Sequence, residues 1–220
     1  MSICVICILV LLAMRHLPQF AIDLSNLRRD RLVTWHTRAR GEYVILLYLV
    51  ICIASLFSMQ RGIHTFGLLS AFGWAVFVLG LALGSIGILT LGRSYSIDIS
   101  LRADFQLVTS GIYGLVRHPI RLGLVLEPLG LLIMSGVWIL VLPWLGIVVM
   151  LIIRSWEEDA FLRQELGVLA RDYQSRVPAF NLPLGVWLKV GRAVTARVGT
   201  ESPANSSDCA PIESVVGTSR

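Results

Sequence analysis

The chain has 220 residues, 55% of them hydrophobic and only 15% charged, with a net charge of +5 at pH 7. Soluble domains carry about 25% charged residues, and the mean hydropathy here is +0.75, which excludes a soluble enzyme or binding domain. The basic balance does not point to nucleic acid either, because no basic-aromatic domain stands outside the apolar runs; in a membrane protein it marks cytoplasmic loops and contact with anionic lipid.

Residues 1–14 are apolar and end at Arg15. A cleavable signal peptide carries its positive charge ahead of the apolar core, and here the charge comes after it. This order predicts a retained, short first helix with its amino end outside. Cys4 and Cys7 have a C-x-x-C spacing but no second pair, and they read as small apolar helix residues rather than a zinc or redox site. Residues 15–41 carry Arg15, Arg28, Arg29, Arg31, Arg38 and Arg40 against Asp23 and Asp30. The positive-inside rule reads this stretch as a cytoplasmic loop.

Residues 42–59 predict a second span, about 27 Å long at ~1.5 Å per residue, close to the ~30 Å of a bilayer core. A short outer loop, Gln60–Thr65, leads to a third span over 66–92. Between Arg61 and Arg93 there is no Asp, Glu, Lys or Arg. Gly80-x-x-x-Gly84 lies within this run and has the small-residue spacing that lets helices approach closely. Residues 93–121 return to the cytoplasmic side with Arg93, Arg102, Arg117 and Arg121. Ser94–Ile99 alternates like a short strand, Thr109-Ser110-Gly111 is turn chemistry, and Pro119 suits the first turn of a helix.

The passage 120–153 is the crux. One continuous helix would run ~50 Å, far beyond the bilayer core. Ser135-Gly136, with Pro128 and Gly130 nearby, offers a break. A hairpin of two crossings of about 15 to 18 residues then returns Arg154-Ser-Trp-Glu-Glu158 to the side of Arg117-His118. Glu127 falls inside the first arm, either as a functional intramembrane carboxylate or as a structural residue where Pro128 disturbs the backbone. Residues 154–180 continue as a polar helix, 184–190 suit a membrane surface, and the Ser/Thr/Ala/Pro-rich tail from about Val194 reads as disordered. The whole predicts an all-α integral membrane protein of about five transmembrane helices including a helical hairpin.

Arg154 and Glu158, four residues apart, share a helix face, with Glu157 rotated away by roughly 100°. Together with Leu107–Gly123, which holds Gly111-Ile-Tyr113 and Arg117-His118-Pro119-x-x-x-Gly123, they carry a resemblance. The two motifs, with Leu162, Gly167, Tyr173 and Arg176-Val-Pro178 after them, are similar to the isoprenylcysteine carboxyl methyltransferase family over about residues 91–182. Phospholipid N-methyltransferases share much of the same pattern.

The resemblance implies an S-adenosylmethionine-dependent membrane methyltransferase with a cytoplasmic cofactor pocket and a lipophilic or lipid-linked substrate entering from the bilayer. Residues 1–92 would be amino-terminal membrane helices with a basic loop, 93–182 the methyltransferase core, and 183–220 a surface segment and tail. The resemblance also implies that Phe105, Gln106, Leu107, Val108, Tyr113, His118, Pro119, Ile120, Arg121 and Glu158 line the cofactor pocket, and that Arg154 holds the substrate carboxylate. The family carries Tyr where this chain has Arg121, so this residue either turns away from a sulfonium or binds the cofactor's carboxylate. An Arg fork suits a carboxylate acceptor and repels a protonated amine, which favours an O-methyl ester over N-methylation. A lipid N-methyltransferase and a non-catalytic membrane scaffold are the competing classes. A nicotinamide-dependent reductase is weaker, since no dinucleotide fingerprint comes after a strand. The short chain without organelle signals suggests a bacterial inner membrane, with the carboxyl end cytoplasmic.

Overall fold

Apolar runs without backbone partners in lipid must satisfy their own hydrogen bonds, and the helix does so within one segment. The computed structural model describes residues 3–27, 39–92, 107–181 and 183–189, and among them all regular structure is helical. Among the described residues seven α-helices follow in the order α1 (Ile3–Leu27), α2 (Ala39–Gln60), α3 (Gly67–Leu91), α4 (Pro119–Ser135), α5 (Val141–Leu166), α6 (Val168–Arg176) and α7 (183–189). Tyr43–Gln60, Gly67–Leu91 and Trp138–Leu166 are long and apolar enough to cross a membrane, and α1 holds a shorter apolar stretch, Val5–Leu17. The protein is an all-α membrane protein. The expected strand at Ser94–Ile99 and the tail from Val194 lie outside the described residues.

The predicted second and third spans match α2 and α3 to within a few residues. The hairpin forms where Ser135-Gly136 breaks the apolar passage: Gly136 ends α4 in the left-handed region, φ 68, a conformation that glycine adopts at no steric cost. Thr65 closes the same end, its N–H donating to the Met134 carbonyl at 2.9 Å and its hydroxyl to the Ile133 carbonyl at 3.0 Å. Pro128 deprives the Leu124 carbonyl of its helical donor. The adjacent Val125 carbonyl accepts the Trp144 indole N–H at 2.9 Å, which ties α5 to α4 at the disturbed turn.

The closest packing is between α3 and α4, and its basis is a glycine register. Gly73, Gly80 and Gly87 of α3 recur every seven residues, as do Gly123 and Gly130 of α4, so each set keeps one face toward the partner helix. The helices run antiparallel, with Gly73 against Gly130, Gly80 against Gly123 and Glu127, and Gly87 against Ile120. A methyl group on Gly130 would stand 2.5 Å from the Phe77 backbone nitrogen, and one on Gly80 2.6 Å from that of Glu127. Without a hydrophobic driving force between helices in lipid, such backbone approach supplies the van der Waals contact that holds them.

Two expectations are corrected. Residues 15–27 are not part of a polar loop: α1 continues through them to Leu27. Arg15, read as the first cytoplasmic cation, is buried with its Nε 3.3 Å from Glu127 Oε1. A compensated guanidinium does not need water, so this arginine does not mark the membrane edge. The polar helix expected over 154–180 is also interrupted. Gly167, at φ 55, separates α5 from α6, and α6 ends at Arg176 before an extended segment.

Candidate active site

The chain enters the site through Leu107 and Val108, both half-buried, and a single 3-10 turn, Gly111–Gly114. Gly111 opens this turn at φ 60, and a Cβ there would stand 3.2 Å from Thr90 Cγ2 near the end of α3. Tyr113 is buried, and its carbonyl accepts the Tyr173 hydroxyl at 2.8 Å. Burial pushes the Tyr173 hydroxyl above its ordinary range, so it stays the proton donor this bond needs. His118 precedes α4, and Pro119 takes the first helical position, where its missing N–H leaves no helical bond unmade.

The extended segment after α6 is laced to this turn. Arg117 donates its backbone N–H to the Pro178 carbonyl at 3.0 Å and its Nε–H to the Val177 carbonyl at 2.9 Å. The His118 N–H reaches the Ala179 carbonyl at 3.2 Å, and the Phe180 ring lies 5.5 Å from the imidazole. Beyond it α7 presses on the 3-10 turn: Gly185 packs so tightly on Leu115 that a Cβ would overlap the Leu115 carbonyl oxygen.

Two ion pairs close the hairpin's base. Arg117 Nη1 pairs with Asp159 Oδ2, and Arg121 Nη2 with Glu158 Oε2. Arg121 Nη1 also donates to Ser155 Oγ at 3.0 Å and meets His118 Nδ1 at 2.8 Å. A guanidinium only donates, so Nδ1 accepts and the ring proton sits on Nε2, 3.3 Å from Asp159 Oδ1. Arg121 therefore does not turn away; it bridges α4 to α5. Arg154 is buried on the same face of α5, one turn before Glu158.

Of the residues singled out from sequence, the structure brings His118, Arg121 and Glu158 into direct contact, with Pro119 and Ile120 on the adjoining turn of α4. Tyr113 lies in the laced turn before them. Phe105 and Gln106 lie outside the described residues. Sequence reasoning passed over Asp159, the partner of both Arg117 and His118. Its signal was three consecutive acids at 157–159, any of which could have faced α4.

Glu127 belongs to a separate polar cluster inside the bundle. It is fully buried, accepts the Tyr48 hydroxyl at 2.7 Å, and lies beside Arg15 and His16. His16 Nε2 is itself 3.2 Å from the Tyr48 oxygen.

The comparisons with known proteins fall on the same stretch. Residues 68–167, from the start of α3 to the end of α5, match the phospholipid methyltransferase family. Protein-S-isoprenylcysteine O-methyltransferase B of Arabidopsis thaliana is 30% identical over 118 residues, 50% of this chain and 58% of that protein. The chain thus spans somewhat over half the length of this relative. The stretch from α3 to α5 is thus similar to membrane methyltransferases of both kinds.

Proposed function

From the similarity of residues 68–167 to membrane methyltransferases, we propose that the protein uses S-adenosylmethionine to methylate the carboxylate of a lipophilic, isoprenylcysteine-like acid. The observation that supports it is the meeting of His118 and Arg121 with Ser155, Glu158 and Asp159 at the base of the hairpin. S-adenosylmethionine supplies, when bound, an activated methyl group on a cationic sulfonium. The residues fit such a ligand. Glu158 keeps about a third of its side chain exposed, so its carboxylate is open to an incoming cation, and Arg121 beside it offers two-pronged binding to a carboxylate. Tyr113, His118, Pro119, Ile120, Leu107 and Val108 complete the pocket.

Arg154 holds the acceptor carboxylate. A carboxylate nucleophile is already ionised at neutral pH, so no general base is required. The protein contributes orientation and exclusion of water around the reacting charges. A buried guanidinium next to the pocket attracts an acid and opposes a protonated amine. The site faces the cytoplasm of a bacterial inner membrane, with the amino end of α1 outside.

The match to phospholipid methyltransferases favours one second reading, N-methylation of a lipid amine. Membranes containing the protein are incubated with methyl-tritiated S-adenosylmethionine, and the extracted lipid is treated with mild base. Ester label is lost in base, and its formation should fall at least a hundredfold in Arg154→Ala and Glu158→Ala. Base-stable label would establish the N-methyl reading instead. No label from folded protein would leave a non-catalytic scaffold.

A further inference from the structure

The membrane levels can be read from α5 and the turn before it. Trp138 and Trp156 are both exposed, at 57% and 65%. Eighteen residues apart, they stand about 27 Å from each other along a helix, close to the ~30 Å of the hydrocarbon core. Exposed tryptophans at the two ends of a span mark the headgroup levels. Leu142, Val149 and Trp156 recur every seven residues and are all exposed, so they form a lipid-facing stripe. The next position in that stripe is Arg163, also exposed, about 10 Å beyond Trp156.

Arg163 does not end in open solvent. It lines a cleft of about 460 Å³ between α5 and α6, together with Trp156, Arg117, Asp159, Arg171 and Gln174. Its Nη1 donates to Gln174 Oε1 at 2.8 Å, while Gln174 Nε2 donates to the Asp159 carbonyl at 2.9 Å. The guanidinium is thereby held across the gap. On the opposite wall stands Arg171 of α6, also exposed. With Arg117 paired to Asp159, the lining keeps an excess of two positive charges, from Arg163 and Arg171.

We propose that this cleft binds the phosphate headgroup of an anionic phospholipid in the adjoining leaflet. The ligand chemistry is a phosphate ester anion between Arg163 and Arg171, with Trp156 at the level of the glycerol and the acyl chains along the Leu142–Val149 stripe. A guanidinium recognises phosphate oxygens through paired N–H donors, and basic pockets beside spans take anionic headgroups. The floor of the cleft, Arg117 and Asp159, is also the wall of the site above. The binding itself is independent of the methyl-transfer reading, because it requires no S-adenosylmethionine.

The test is native mass spectrometry of the full chain in detergent, offered phosphatidylglycerol or phosphatidylcholine, without S-adenosylmethionine. Wild-type protein should retain phosphatidylglycerol about tenfold or more over phosphatidylcholine, the scale two surface guanidiniums supply. The double variant Arg163→Gln/Arg171→Gln should lose that preference, and millimolar inorganic phosphate should not displace the lipid. Equal retention of both lipids, or an unchanged preference in the variant, overturns the site. Displacement by inorganic phosphate assigns it to a soluble anion and overturns the lipid. Should the variant not fold, wild type at high salt decides: screening must reduce the preference, and an unaltered ratio overturns the proposal.

Discussion

Glu127→Leu destabilises the bundle by about 3–5 kcal/mol, the range for removing one partner of a buried ion pair. The Arg15 side chain is 1% exposed and its Nε lies 3.3 Å from Glu127 Oε1, so the variant leaves a buried cation without its carboxylate. The Tyr48 hydroxyl loses its 2.7 Å acceptor at the same time. Glu127→Gln keeps an acceptor for Tyr48 but not the countercharge, and its loss is smaller. Replacing both members, as Arg15→Met with Glu127→Leu, removes the uncompensated charge and recovers most of the stability, since an apolar pair of similar volume is often no worse than a buried salt bridge. Thermal unfolding of the three variants in detergent checks the order. Equal midpoints for wild type and Glu127→Leu would show that α1 is not pinned to α4 by this pair.

Asp159→Ala has the second large effect, on the site rather than the bundle. Asp159 pairs with Arg117 and lies 3.3 Å from His118 Nε2, and Arg117 in turn anchors the segment after α6 through the Val177 carbonyl. Hydrogen bonds to charged groups contribute about 1.5–3 kcal/mol each, so on the proposed methyltransferase reading loss of one such anchor lowers S-adenosylmethionine affinity roughly tenfold to a hundredfold. Asp159→Asn, which keeps an oxygen for Arg117, loses less. Calorimetric titration of both variants, with unfolding midpoints measured alongside, separates a weakened site from a weakened fold. Unchanged affinity in Asp159→Ala would remove this residue from the site's support.

Uncharged length was the clearest signal in the amino-acid sequence. The second and third spans and the break at Ser135-Gly136 were legible, because a run of ~20 apolar residues has few fates in a membrane chain and a left-handed glycine is a common helix stop. The hairpin then brought the Arg117 and Glu158 motifs together, as parity required. What misled was Arg15. A charge count treats every cation as water-seeking, and the compensating carboxylate stands 112 residues later in the chain. Pairing at the site was hidden for a related reason. Helical spacing puts Arg154 and Glu158 on one face, but it cannot say that the Glu158 carboxylate turns across to Arg121 on α4 rather than along α5. Asp159 was missed because three adjacent acids look alike until the neighbouring helix selects among them. The glycine register of α3 on α4 was half legible: Gly80-x-x-x-Gly84 was visible as packing, while the seven-residue recurrence needed its partner helix to acquire meaning.

Whether the two motifs are reached from a single side of the membrane is the most direct thing to measure. Ser110→Cys, ahead of the 3-10 turn, and Gln164→Cys, near the end of α5, both replace exposed residues and are introduced into protein whose native cysteines have been replaced. In oriented membrane vesicles, a membrane-impermeant maleimide should label both positions from one and the same side. Labelling of the two from opposite sides would mean that α4 and α5 do not double back, and no common pocket would join Arg121 to Glu158.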